Sequence, residues 1–267
     1  MQDLNDLVYF AEVVDRGGFA AAGRALGLPK SRLSRRVAEL EARLGVRLLQ
    51  RTTRKLSMTA VGEQYHRHCV AMREDAQAAA DAVAQAHAAG QTAFGENYIQ
   101  EAVEKIAVLA HLPLQWHCIG PIQSNKTRQV AEHFDWVHTI DRLKIAQRLS
   151  EQRPADLAPL QVCIQVNVDG GPTKSGVAPV DALALAQAVA ALPRLCVRGL
   201  MCIPEPATDF IAACAVFSRA RHLFDQINST GMALDTLSMG MSDDLEAAIA
   251  SGSTMVRVGS AIFGARS

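Results

Sequence analysis

The sequence predicts a multi-domain chain: a small all-α domain with a two-stranded wing, then an α/β domain on a parallel sheet. Three observations predict it. The first 58 residues carry apolar positions at helical spacing, interrupted by glycine-containing turns. A proline-free stretch follows, with ten alanines among the twenty residues of Ala71–Gly90. Beyond Gly90, short apolar runs alternate with helical segments. That is the pattern of βα units whose sheet is buried on both faces, either open or closed into a barrel.

Composition bounds the class. At 267 residues the chain is long enough for one large domain or two ordinary ones, and 49% hydrophobic with 20% charged residues fits a globular protein rather than a disordered one. No apolar run approaches the roughly 18 residues needed to cross a bilayer. The first ten residues, MQDLNDLVYF, carry acids where a signal peptide carries positive charge, so the cytoplasm is the expected compartment. The six cysteines include no CxxC pair, which favours reduced, buried thiols over a metal site or a disulfide set.

The net charge of zero conceals an asymmetry. Residues 1–67 hold 12 Lys/Arg against 7 Asp/Glu, whereas the remainder holds 15 against 20. Between Arg16 and Lys55 there are 11 basic residues and only 2 acidic ones, a balance suited to a polyanion.

Each element follows from local sequence. Leu4–Asp15 reads as a helix that ends at Gly17-Gly18, Ala20–Leu26 as a short second helix, and Gly27-Leu28-Pro29 as a turn. In a third helix, Lys30–Leu44, the residues Leu33, Val37, Leu40 and Leu44 recur at steps of 4, 3 and 4 and form one buried face. Ser31, Arg32, Ser34, Arg35 and Arg36 are left for the other faces. The segment LLQRTTRKLSMT places β-formers on either side of a basic tip and reads as a short wing. Thr59 is an N-cap for one long helix ending at Gly90, so the expected division is 1–58, a linker helix over 59–89, and 90–267. A solvated or coiled helix without specific function is the competing reading of the alanine-rich stretch. Seven strands are expected beyond it: Thr92–Asn97, Leu114–Ile119, Trp136–Ile140, Val162–Val168, Cys196–Ile203, Thr236–Met241 and Met255–Ile262.

Helix, glycine-containing turn, and a second helix bearing arginine and serine form a winged helix-turn-helix pattern. Such a helix fits the major groove of double-stranded DNA, where arginine can donate two hydrogen bonds to a guanine edge. Ser31, Arg32, Ser34 and Arg35 are the candidate groove residues. Arg51, Thr52, Arg54 and Lys55 on the wing are the candidate phosphate contacts. A solvated basic helix pair gives a similar pattern. The run from Leu4 to Tyr65, with FAEVVDRGGF, SRLSRRVAELEARLG and LSMTAVG, resembles the DNA-binding domain of LysR-type transcriptional regulators. The resemblance implies a transcription factor that dimerises through the linker helix. It also implies an effector-sensing module of two α/β lobes, for which the rest of this chain offers no match.

Four motifs in the second part carry chemistry: FGENYIQE at 94–101, WHCIGPIQSNK at 116–126, GLMCIP at 199–204, and SMGMSDDLEAAIASGSTMVRVGSAIFGAR from 238. Ser242 and the turn Arg257–Ser260 fall near C-terminal ends of strands, the rim that holds barrel active sites and often a phosphate. Gly240, Gly252 and Gly259 serve equally well as plain tight-turn residues. In this order, the motifs resemble the pyridoxal-phosphate homeostasis proteins, single-domain relatives of the alanine racemase barrel, over about 81–266. The fold then expected is a (β/α) barrel of TIM type lacking its first strand. By resemblance, Ser242, Gly259 and Ser260 would hold the cofactor phosphate and Arg257 would face the pyridine nitrogen. Asn97, His117, Met201 and Met239 would line the ring pocket, with His117 equally readable as a hydrogen-bonded core histidine.

The departure from the family lies upstream. Its Schiff-base lysine belongs to the first barrel strand, where this chain has the alanine-rich helix around Ala76, and no lysine occurs between Lys55 and Lys105. Pyridoxal 5'-phosphate is therefore expected to bind only non-covalently, or through a substitute. Lys126 and Lys174 follow strand ends, although Lys174 reads as a solvated loop residue. The resemblance supports no defined catalytic reaction, so the chain is not read as an enzyme. Its expected function is DNA-binding regulation, with pyridoxal-phosphate binding as the alternative.

Overall fold

The computed structural model describes residues 4–51, 56–171 and 175–264. The chain divides into two compact units, Met1–Asp81 and Ala82–Ser267.

In the first unit, α1 (Leu4–Asp15), α2 (Phe19–Leu26) and α3 (Lys30–Leu44) precede the antiparallel pair β1 (Leu49–Arg51) and β2 (Leu56–Met58). Leu7, Phe10, Val13, Leu33, Val37, Leu40, Leu48 and Leu49 are buried together in one core. Leu44 departs from the expected buried face and is 39% exposed, because Gly45 turns the chain left-handed (φ 68°) and ends the helix beside it. Buried Asp6 on α1 accepts from Arg36 Nε at 2.6 Å and from Arg43, tying α1 to α3. Arg36 is thus a clamp residue. Glu41 Oε1 accepts from the backbone N–H of Leu48 and Leu49 at 2.8 and 2.9 Å, fixing the entry into the wing.

α4 (Ala60–Ala88) is a single helix, as alanine content and the absence of proline require. Thr59 Oγ1 accepts from the Gly62 N–H at 2.9 Å, and the Thr59 N–H donates to the Leu48 carbonyl at 3.0 Å. A Cβ on Gly62 would lie 2.0 Å from that same carbonyl oxygen, which explains why the helix opens on glycine here. Tyr65 packs edge-on against Phe10 with centroids 5.6 Å apart, and Cys69 joins the core, so the first turns of α4 complete this unit.

The second unit alternates strands and helices: β3 (Ala93–Glu96), α5 (Ile99–Val108), β4 (Gln115–Cys118), α6 (Thr127–His133), β5 (Trp136–Ile140), α7 (Leu143–Gln152) and β6 (Leu160–Gln165). A 3-10 turn (Pro179–Asp181) leads into α8 (Ala182–Ala190). Then come β7 (Leu195–Met201), α9 (Phe210–Ser229), β8 (Thr236–Met241), α10 (Leu245–Ala250), β9 (Met255–Arg257) and α11 (Ser260–Phe263). The seven strands are parallel and ordered as in sequence, with β3 and β9 at the two ends and not paired to each other. The sheet is rolled. In a flat sheet β5 and β8, three positions apart, would lie about 14 Å from each other. Yet His138 Nδ1 on β5 lies 2.9 Å from Ser238 Oγ on β8. The result is a nearly closed barrel with seven strands, matching the expected TIM-type barrel without its first strand.

The strand expected at Val162–Val168 is shifted to Leu160–Gln165, and the last strand departs furthest from expectation. The sequence reads as one continuous strand over Met255–Ile262, whereas β9 ends at Arg257 and α11 begins at Ser260. The backbone leaves the extended conformation at Gly259 (φ −124°, ψ −78°), and the N–H groups of Gly259 and Ala261 turn toward Ser242 instead of a neighbouring strand. Among the described residues, no helix is long and apolar enough to cross a membrane.

Candidate functional site

The DNA-facing candidates occupy one element. On α3, Ser31, Arg32 and Arg35 are exposed and Ser34 is half-buried. Among the described residues, Arg35 makes a long 3.8 Å pair with Glu39, one turn along the helix. By contrast, Arg36 and Arg43 are engaged by Asp6. The burial of Leu33, Val37 and Leu40 leaves the Arg32–Arg35 side of α3 facing outward. The Arg51 side chain, Thr52, Arg54 and Lys55 lie outside the described residues, as does Lys174.

In the barrel, Arg257 is the centre of a buried polar group. Its Nη1 donates to Ser238 Oγ at 2.6 Å and its Nη2 to the Cys202 carbonyl at 3.0 Å. Ser238 in turn meets His138, whose Nε2 lies 2.9 Å from His117 Nδ1. His117 Nε2 contacts Gln115 Oε1 at 3.0 Å, and its ring stacks on Trp136 at 5.2 Å and 6°. Burial pushes His117 down to about 4. Burial, followed by the charges of His117 and Arg257, holds His138 well below the usual histidine range. Both rings are therefore neutral near pH 7. His117 is thus a hydrogen-bonded core histidine, one of the two readings its sequence allows. Burial also holds the Arg257 guanidinium below its ordinary range, and pushes the Cys163 and Cys202 thiols up to about 12, which makes them poor nucleophiles.

Next to Arg257, the N–H groups of Gly259 and Ala261 converge on Ser242 Oγ at 3.3 and 3.4 Å. A Cβ on Gly259 would meet nothing within 4 Å. Two N–H groups at the start of a helical turn, beside a hydroxyl and open space, suit an oxyanion. Ser260 is exposed at the same turn. Met201 is fully buried against Trp136 and Cys163. Met239 is also fully buried, and Asn97 is exposed. No hydrogen bond among the described residues links Asn97 to the Arg257 group. Its carbonyl approaches Gly120 so closely that a Cβ there would be 2.0 Å away, which accounts for the glycine in WHCIGP.

Ser238, His138 and Gln115 escaped the sequence reading. Ser238 lies inside the SMGMS motif, yet nothing in a linear pattern shows that it faces a histidine one hundred residues upstream. Of the two substitute lysines, Lys126 is the one among the described residues, and it is hydrogen-bonded. Lys126 Nζ donates to Gln100 Oε1 at 3.2 Å, and Lys105 pairs with buried Glu96 at 2.5 Å.

Comparison with known proteins finds relatives for both parts of the chain. The family model for the alanine racemase N-terminal domain matches residues 51–267, and that for bacterial regulatory helix-turn-helix proteins of the lysR family matches 4–63. A pyridoxal phosphate homeostasis protein from Pseudomonas aeruginosa is 58% identical over 226 residues, covering 78% of this chain and 97% of the relative. PipY of Synechococcus elongatus, solved without pyridoxal phosphate, superposes with a TM-score of 0.65 at 40% identity, covering 69% of this chain and 87% of PipY. The same protein with pyridoxal phosphate bound gives a TM-score of 0.64. The chain carries a LysR-type helix-turn-helix domain, and through its barrel it belongs to the pyridoxal phosphate homeostasis protein family, of alanine racemase N-terminal domain type.

Proposed function

We propose that this protein is a DNA-binding transcriptional regulator of LysR type, dimerised through α4, whose barrel is an accessory module. One observation carries the reading. Asp6 and the apolar core consume one side of α3, leaving Ser31, Arg32 and Arg35 exposed on the helix that such domains insert into the major groove. The wing cations Arg51, Arg54 and Lys55 add phosphate contacts in this reading. The test is binding of the full chain to a random-sequence duplex pool, with selection of bound sequences and a salt titration. Affinity should fall linearly on log–log axes. Changing Arg32 and Arg35 to alanine should cost about 1–3 kcal/mol for each arginine that reads a base edge. Binding indifferent to salt and to both substitutions would refute the proposal.

A second reading is favoured by the Ser242, Gly259 and Ala261 group beside Arg257: the barrel binds pyridoxal 5'-phosphate without a covalent bond. The phosphate would take the backbone N–H pair and Ser242, and the ring nitrogen the Arg257 guanidinium, with Asn97, Met201 and Met239 around the ring. The cofactor's electrophilic aldehyde would have no lysine on the family's strand to react with, since none lies between Lys55 and Lys105. Arginine, rather than a carboxylate, at the ring nitrogen disfavours the protonated ring that acts as a strong electron sink, so this reading is of a carrier and not an enzyme. Titration with pyridoxal phosphate should give a saturable absorbance change that gel filtration reverses and borohydride does not trap. A trapped adduct would refute the non-covalent mode, and a flat titration would refute binding.

A further inference from the structure

We propose that Ser238 is a positioning residue for Arg257, its hydroxyl aimed by a one-way hydrogen-bond relay through His138 and His117 to Gln115. The direction follows from what each group can donate. Arginine has only donors, so Ser238 Oγ must accept from Arg257 Nη1 at 2.6 Å. The serine hydrogen is then left for His138 Nδ1 at 2.9 Å, which makes that nitrogen the acceptor. A neutral His138 must carry its proton on Nε2 and donate it to His117 Nδ1 at 2.9 Å. His117, bare at Nδ1, carries its own proton on Nε2 and donates to Gln115 Oε1 at 3.0 Å. Each atom has one role, and no donor faces another donor.

Placement supports the same assignment. His117 and His138 are 4% and 1% exposed, and Ser238 is fully buried, so an unmade bond at any link would leave a polar atom without water. Stacking on Trp136 holds the His117 ring in plane. The relay runs from Arg257, the last residue of β9 and two residues before Gly259, to Gln115, exposed at the start of β4. With the Cys202 carbonyl as second anchor, the guanidinium is held from β8 on one side and from the end of β7 on the other. Its remaining N–H bonds are thereby pre-aimed, reducing the ordering cost on meeting a ligand. The ligand role rests on the pyridoxal-phosphate reading above, whereas the relay itself does not.

The experiment has two arms on the full chain. In the first, nitrogen-15 NMR of the histidine side chains without added ligand should show His117 and His138 as neutral Nε2–H tautomers. Ser238→Ala should release the His138 tautomer. A dominant Nδ1–H form at either residue, or a spectrum unmoved by Ser238→Ala, overturns the relay. In the second, pyridoxal phosphate is titrated into the parent, Ser238→Ala and His138→Asn. Asparagine keeps an acceptor where Nδ1 stood but cannot reach His117. Ser238→Ala should weaken binding about tenfold and shift the bound absorption band. His138→Asn should bind within about threefold of the parent while unlocking the His117 tautomer, so it keeps the test open should Ser238→Ala misfold. Ser238→Ala binding within about twofold of the parent, with the band unmoved, overturns the positioning role. A parent that binds no pyridoxal phosphate removes the ligand reading and that role with it, and the first arm still decides the relay.

Discussion

Mild acid should destabilise the barrel before general carboxylate titration does, through His117 and His138. Both are buried and neutral in the folded state, the first pushed down to about 4 and the second lowered well below the ordinary value. The Arg257 guanidinium adds to burial in opposing protonation of His138. A histidine whose folded pKa lies below its unfolded one binds fewer protons when folded. Its contribution is complete above about pH 6.5 and is lost as pH falls from there toward about 4. For His117 that window, at about 1.36 kcal/mol per pH unit, corresponds to about 3 kcal/mol. His138 adds in the same direction. Urea unfolding reads the effect cleanly, because both tryptophans, Trp116 and Trp136, belong to the barrel unit. With a slope of about 2 kcal/mol per molar urea, His117 alone should lower the fluorescence midpoint by about 1.2 M between about pH 7 and about pH 4.5, and His138 should lower it further. The variant His117→Gln/His138→Asn should lose most of that dependence. An unchanged midpoint across this range, or an equal fall in the double variant, would refute the reasoning.

Three further predictions concern the first unit. Gly62→Ala places a methyl 2.0 Å from the Leu48 carbonyl and should cost about 3 kcal/mol, seen as a lower melting temperature and weaker duplex binding. Thr59→Ala removes the oxygen that caps the Gly62 N–H and should cost about 1 kcal/mol by the same melt. Asp6→Ala removes the carboxylate that Arg36 and Arg43 share. Because those side chains are 27% and 42% exposed and can rehydrate, the loss should be about 2 kcal/mol, below that of a fully buried pair. If duplex affinity rose in Asp6→Ala while stability held, the clamp would instead be restraining cations that DNA can use.

Much of the architecture was legible because it rests on local rules. The boundaries of α1 and α3, and those of β5 and β8, coincide with the sequence reading, since apolar period and glycine punctuation act over a few residues. Leu44 was misread because a periodic pattern does not say where its last turn leaves the core. The tail of β9 was misread because VGSAIF has strand composition, and only the turn at Gly259, held by Ser242, shows that the backbone has left the sheet. Among the candidate site residues, Arg257, Ser242 and Gly259 came from motif order, while Ser238, His138 and Gln115 did not.

By itself the sequence determined that two unlike units are joined, that the first is basic along Arg16–Lys55, and that no lysine lies between Lys55 and Lys105. These are properties of composition, period and motif, which survive without coordinates. Only the tertiary structure decided which cations of α3 are spent on Asp6 and which are exposed. It alone rolled β5 toward β8, bringing His138 to Ser238 and linking Arg257 to Gln115. The physical reason is range: helix and strand patterns are set by neighbours a few residues apart, whereas a buried hydrogen-bond chain exists only once distant strands close around it.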